Sequence, residues 1–198
     1  MRSTRLTRAA RLGGRSARGV AIGTGLCLVL LSGCATPHQS GVSPDGLTAR
    51  LRALSPAIDE REAVLAAETA CSYSLELARE YRVVRPAIWH NVLVNWGVRK
   101  RGLCYQWADD LSAKLESLHL HTLQVRRGVA RLETRREHSS VVLTAPGQAF
   151  SQGIVLDAWR HSGRLYWSPV RADKYPWIEV EVVAEPEAQA HASPDRGH

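Results

Sequence analysis

The feature that most constrains the fold is a change of period near His121. Before it, apolar residues recur at three- and four-residue steps, the repeat of a helix with one buried stripe. Asp59 followed by Glu62 reads as a helix-start capping pair, and Val64, Ala67, Cys71, Leu75 and Ala78 continue the stripe. Leu47–Leu54 can form a shorter helix ahead of Pro56. Pro86 can open another, carrying Ile88, Trp89, Val92, Leu93 and Trp96 and stopping at Gly97. A further helix starts near Cys104, with Trp107, Leu111, Leu115 and Leu118 on one face. After His121 come short strand-like runs: Thr122–Ala130, Ser139–Thr144, Ile154–Trp159 and Arg164–Trp167. Ala145-Pro146-Gly147 and His161-Ser162-Gly163 are turn signals between them. Helices first and strands afterwards predict an α+β domain, N-terminal helices packed on a C-terminal antiparallel sheet.

The chain has 198 residues, enough for one ordinary domain. Its formal charge of +7 and pI near 9.7 invite a nucleic-acid or membrane-surface reading. That charge is localised. Arg2, Arg5, Arg8, Arg11, Arg15 and Arg18 precede the apolar run Val20–Leu31, with no acid among residues 1–33. A run this short falls well below the roughly 20 residues that span a bilayer, and a positive start followed by a short apolar core is an export-signal pattern. Leu31-Ser32-Gly33-Cys34 closes it and resembles the lipobox of bacterial lipoproteins. The resemblance implies cleavage after Gly33 and a lipid on Cys34. With Ala35 rather than Asp after the cysteine, it implies the periplasmic face of the outer membrane. Taking six arginines from 26 basic residues leaves 20 against 19 acidic ones, near neutrality, so net charge no longer argues for nucleic acid.

Residues 1–33 thus read as a lipoprotein signal peptide, 34–46 as a flexible tether, 47–183 as the folded domain and 184–198 as a disordered tail. The exported part holds two cysteines besides Cys34. Cys71 lies on an apolar stripe, as a small buried hydrophobe would. Cys104 follows Gly102-Leu103 and opens a helix, where unpaired N–H groups and the helix dipole favour a thiolate. Arg99, Lys100 and Arg101 precede it. A nucleophilic thiol needs a base, and the base an orienting acceptor. His138 enters a strand 34 residues later. Asp157 ends an apolar strand 19 residues beyond that, where a carboxylate requires a partner.

Arg101-Gly102-Leu103-Cys104-Tyr105-Gln106-Trp107-Ala108 resembles the Gly-x-Cys-x-x-aromatic-Ala stretch of transglutaminase-like domains, which share the papain-related cysteine-enzyme fold. The chain order Cys104, His138, Asp157 matches that family's triad, and the resemblance spans about residues 85–170. The family's aromatic residue close after the His is replaced by Ser139-Ser140. The resemblance implies acyl transfer or amide hydrolysis on an envelope protein or peptide, without a cofactor. On this resemblance Cys104 would be the nucleophile, His138 the base and Asp157 the orienting acid. Its oxyanion helper would come from among Gln106, Asn91, Asn95 and Trp96.

Rival readings are a Cys71–Cys104 disulfide in an oxidising compartment and a non-catalytic envelope scaffold of the same fold. A zinc site drawing on His90, His119, His121 or His161 is a third, although only His119-x-His121 has paired spacing. Trp89, Trp96 and Trp107 read as core. Of Trp159, Trp167 and Trp177, one could line a substrate groove. The arginines at 126, 127, 131, 135 and 136 read as a solvated hairpin.

Overall fold

The computed structural model describes residues 43–181. The lipobox, Cys34, most of the tether and the tail lie outside the described residues. Four helices come first: α1 (Pro44–Arg52), α2 (Glu60–Glu80), α3 (Ala87–Asn95) and α4 (Cys104–Glu116). Five strands follow: β1 (Gln124–Ala130), β2 (His138–Thr144), β3 (Ile154–Asp157), β4 (Tyr166–Pro169) and β5 (Trp177–Val180). They form one antiparallel sheet in the order β4-β3-β2-β1-β5. The α+β class and the helices-then-sheet order are as expected. No described helix is long and apolar enough to cross a membrane.

Helix α1 begins three residues before the expected Leu47, because Pro44 in its first turn presets φ and has no N–H to leave unpaired. Helix α2 starts where Asp59 and Glu62 place it, but only Asp59 caps: its Oδ1 accepts from the N–H groups of Arg61 and Glu62. Glu62 instead reaches across the fold. Its carboxylate accepts from the backbone N–H groups of His121 and Thr122, at 2.8 and 2.7 Å, and from the Thr122 hydroxyl. It thereby pins the point where helix gives way to strand. Slight burial would raise its pKa, but these hydrogen bonds outweigh it and hold the carboxyl below its usual range.

The buried stripe of α2 is rotated from the one expected. Ala63, Ala66, Ala67, Ala70, Ser74 and Leu77 face inward, and Leu75 is exposed. Small side chains win that face because they let the neighbouring elements approach closely. The Ser74 hydroxyl satisfies itself on the Ala70 carbonyl at 2.6 Å. The turn after β3 uses this closeness: a Cβ on Gly163 (φ +94) would stand 2.4 Å from the Ala78 Cβ.

All seven residues of β2 are buried, since both faces of this central strand are covered. Val141 and Leu143 join the helices, with Trp107, Leu111 and Leu115 of α4, in the main core. Val142, with Val155, Val170 and Trp177, forms a second cluster. The strand expected over Ile154–Trp159 stops at Asp157, because Arg160 N–H bonds back to the Asp157 carboxylate and turns the chain. The β1–β2 connection, residues 131–137, is exposed, as the solvated-hairpin reading has it for Arg131, Arg135 and Arg136, but Arg126 and Arg127 lie on β1, part-buried and paired with Glu179 and Asp109. Trp107 is core. Trp89 and Trp96 are not: both stand exposed on α3.

Candidate active site

Antiparallel pairing brings the start of β2 and the end of β3 to the same end of the sheet, which places His138 beside Asp157. The His138 Nε2 to Asp157 Oδ2 distance is 2.7 Å, and both side chains are almost wholly buried. Helix α4 delivers Cys104 to that end. Its Sγ lies 3.8 Å from the carbonyl oxygen of Glu137, the residue before His138. The Cys104 thiol is half-buried, whereas His138 and Asp157 are almost wholly buried. The three residues picked from the sequence therefore converge on one place.

The ring nitrogens of His138 have different neighbours. Nε2 is engaged by Asp157, whereas Nδ1 is buried and closes no hydrogen bond among the described residues. The nearby thiol nonetheless acts on the ring. Burial, the largest single influence, lowers the imidazole pKa. Hydrogen bonding and charge from Asp157 first, and Cys104 second, outweigh it and push the pKa up to about 9. Asp157 is also opposed by burial, yet His138 and Arg160 hold its carboxyl below the usual carboxylate range.

Arg160 was not anticipated as part of the site. Its Nε donates to Asp157 Oδ2 at 2.8 Å and its Nη1 to Asp173 Oδ2 at 2.9 Å, with the Asp173 side chain fully buried. His138, Asp157, Arg160 and Asp173 thus form one buried chain of alternating sign, which answers the desolvation cost of each charge. The Arg160 guanidinium also lies over the Tyr166 ring at 3.8 Å. An acid ending an apolar strand with Arg three residues on is a local signal for part of this chain. Asp173 carries no such signal.

Aromatic rings enclose His138. Trp159, Tyr175 and Trp177 lie 4.8, 4.9 and 5.3 Å from it between ring centroids. These walls stand where the sequence lacks an aromatic next to the histidine, and they fix the ring and keep water from it. Trp167 is instead buried in the main core.

The loop before Cys104 is held by two buried side chains. His90 accepts from the Val84 N–H through Nδ1, so Nε2–H donates to the Arg101 carbonyl at 2.9 Å. Trp107 Nε1–H donates to the Gly102 carbonyl at 3.0 Å. Of the four oxyanion-helper candidates, Gln106 has Nε2–H groups, the donors an oxyanion would use, that are not engaged among the described residues, while its Oε1 is taken up by the Gly102 and Leu103 N–H groups. That leaves the Cys104 N–H without an acceptor among the described residues, and hence available to an oxyanion. Asn91 Oδ1 accepts from Trp159 Nε1, which ties α3 to the wall of the His138 cage. Asn95 and Trp96 are exposed at the end of α3, and neither is hydrogen-bonded to the triad among the described residues.

Cys71 and Cys104 are both free thiols, so the disulfide reading gives way. Cys71 is partly buried against the main core, and that burial pushes its thiol up to about 11. No group of three or more His, Cys, Asp or Glu gathers as metal ligands among the described residues. A groove of about 660 Å³ runs between α4 and the β1–β5 edge, past the Arg127–Asp109 ion pair, and its lining does not include Cys104, His138 or Asp157. Comparison with protein-family models, curated proteins and solved structures finds no match to this chain.

Proposed function

We propose that this chain is a lipid-anchored envelope protein whose transglutaminase-like, papain-related domain carries out thiol-dependent acyl transfer or amide hydrolysis on an envelope protein or peptide. The observation that carries the reading is His138, held by Asp157 at 2.7 Å through Nε2, with Nδ1 unpaired among the described residues and the Cys104 Sγ 3.8 Å from the carbonyl oxygen of the preceding Glu137. Cys104 Sγ attacks an acyl carbonyl and forms the C–S bond, its proton having passed to His138. The tetrahedral oxyanion draws on the Cys104 N–H. Collapse breaks the bond to the leaving amine, which takes the proton from His138. A water or an amine then attacks the thioester, gives its proton to His138 and releases the acyl group, regenerating the thiol. Asp157 holds the imidazole orientation throughout.

Alkylation of the exported chain by iodoacetamide at neutral pH tests this reading, with Cys71 as internal reference. Cys104 is expected to react at least about tenfold faster than Cys71, and His138→Ala to remove most of that advantage. Envelope extracts should in addition leave a hydroxylamine-labile acyl adduct on Cys104. Equal reactivity of the two thiols, with no adduct, would overturn the catalytic reading and favour a scaffold of the same fold. The anchor is tested separately. Cys34→Ser is expected to move the protein from the membrane fraction to the soluble one, because the acyl chains supply about 0.8 kcal/mol per buried CH₂. Unchanged fractionation would contradict lipidation.

A further inference from the structure

Helix α3 is the most apolar of the four helices, yet only Ala87 and His90 on it are buried. Ile88, Trp89 and Trp96 stand outward from it, with Val98 just beyond, at 64%, 48%, 70% and 56% exposure. The two tryptophan rings meet edge to face at 6.3 Å. A helix apolar on nearly every side is ordinarily covered. The charge around this one is equally one-sided. Residues 82–101 contain five basic side chains and no acid, whereas the rest of residues 34–198 holds 15 basic against 19 acidic side chains. Arg101 pairs with Asp110, whereas Arg82, Arg85, Arg99 and Lys100 pair with no carboxylate among the described residues. Three of these last four, Arg82, Arg99 and Lys100, line a groove of about 400 Å³ beside Val98, with Glu80 the one acid on its wall.

We propose that α3 and the loop through Arg101 form a docking face for an anionic lipid surface. Tryptophan with aliphatic side chains, bordered by unpaired Arg and Lys, is the composition that settles at a headgroup boundary. The rings enter the interface and the cations meet lipid phosphates. The exposed face is the outside of a short helix rather than a pocket shaped for a protein side chain, and its charge complements lipid of negative sign. Chain length agrees: the ten residues from Cys34 to Ser43 span at most about 35 Å, so an anchor on Cys34 holds the domain within reach of the bilayer. That last point alone rests on the lipid-anchor reading. The same loop leads into Cys104, so a domain docked this way presents its thiol near the lipid surface.

The test uses the chain from Ala35 onward, which lacks the lipidated cysteine, so a failed anchor and a failed docking face are told apart. Co-sedimentation is measured with phosphatidylcholine vesicles and with vesicles containing about one-third phosphatidylglycerol. The expected result is at least about tenfold tighter binding to the anionic vesicles, with a blue shift of tryptophan emission. Arg85→Glu with Lys100→Glu should abolish the preference. Trp89→Ala with Trp96→Ala should remove the blue shift and weaken binding. All four side chains are exposed, and an unchanged thermal midpoint verifies that each double variant is folded. Equal binding to both vesicle types, or binding undiminished in both variants, would overturn the proposal. So would a lipid-free dimer that both variants dissolve, which would assign the face to a second copy of the chain.

Discussion

Asp157→Ala is expected to lower folding stability by about 3–5 kcal/mol, the cost of removing one partner from a buried charge network. The Asp157 carboxylate is 1% exposed and accepts from His138 Nε2, Arg160 Nε and the Arg160 N–H. Its removal strands the Arg160 guanidinium with Asp173 alone and frees the His138 ring. For a domain of this size the thermal midpoint should fall by roughly 10–20 °C. Asp157→Asn keeps the shape and loses the charge. It should be milder in stability and still cost acyl transfer about 10³-fold or more, because the imidazole loses the acceptor that fixes its tautomer. A midpoint within about 2 °C of wild type for Asp157→Ala would show that the network contributes little.

Gly102→Ala is the second large effect. Gly102 has φ +127, a backbone region that only glycine enters cheaply, and a Cβ there would stand 2.2 Å from His90 Nε2. His90 cannot move aside, since it is buried and both ring nitrogens are engaged with backbone groups. The substitution must break the Arg101 contact or shift the loop that delivers Cys104. A loss of at least about 2–3 kcal/mol is expected, with slower Cys104 alkylation than in wild type. The controlling comparison is Gly97→Ala. That position also has positive φ but open space for a Cβ, so it should show backbone strain alone and leave Cys104 reactivity intact. Wild-type stability and reactivity in Gly102→Ala would contradict this account of the loop.

The triad was legible because each member carries a local signature. Cys104 opens a helix after Gly102-Leu103, and His138 enters a strand. Asp157 ends an apolar strand that gives a carboxylate no solvent. What surrounds the triad was not legible, because it is assembled by contacts distant in sequence. Trp177 belongs to β5, a four-residue edge strand whose pattern of one buried and three less buried residues gives no clear period. Asp173 and Tyr175 lie in an irregular stretch that only the Arg160 fork explains. The stripe on α2 was misplaced for a different reason. Apolar periodicity favours large side chains such as Leu75, whereas close packing selected alanines and Ser74. On α3 the pattern predicts burial of Trp89 and Trp96, yet nothing within the described domain covers them.

The linkage of His138 to stability has a definite sign. Its folded pKa, about 9, exceeds its ordinary value of 6.5. The folded state therefore binds more protons than the unfolded one between those values. The contribution is complete below about pH 6.5 and is lost as pH rises through 9. Asp157 works in the opposite direction. Its carboxyl is lowered, so its contribution is present above the ordinary carboxylate range and is lost on acidification.

The coupling of thiol to imidazole is tested most directly by NMR titration of the His138 ring in wild type and in Cys104→Ala. Protons in such a pair are shared, so the comparison between the two proteins carries the information rather than either apparent value alone. The wild-type ring should titrate near 9, and Cys104→Ala should move it down toward 6.5, because the influence of the thiol on the ring is gone. A ring that titrates identically with and without the Cys104 thiol would contradict a Cys104–His138–Asp157 catalytic unit.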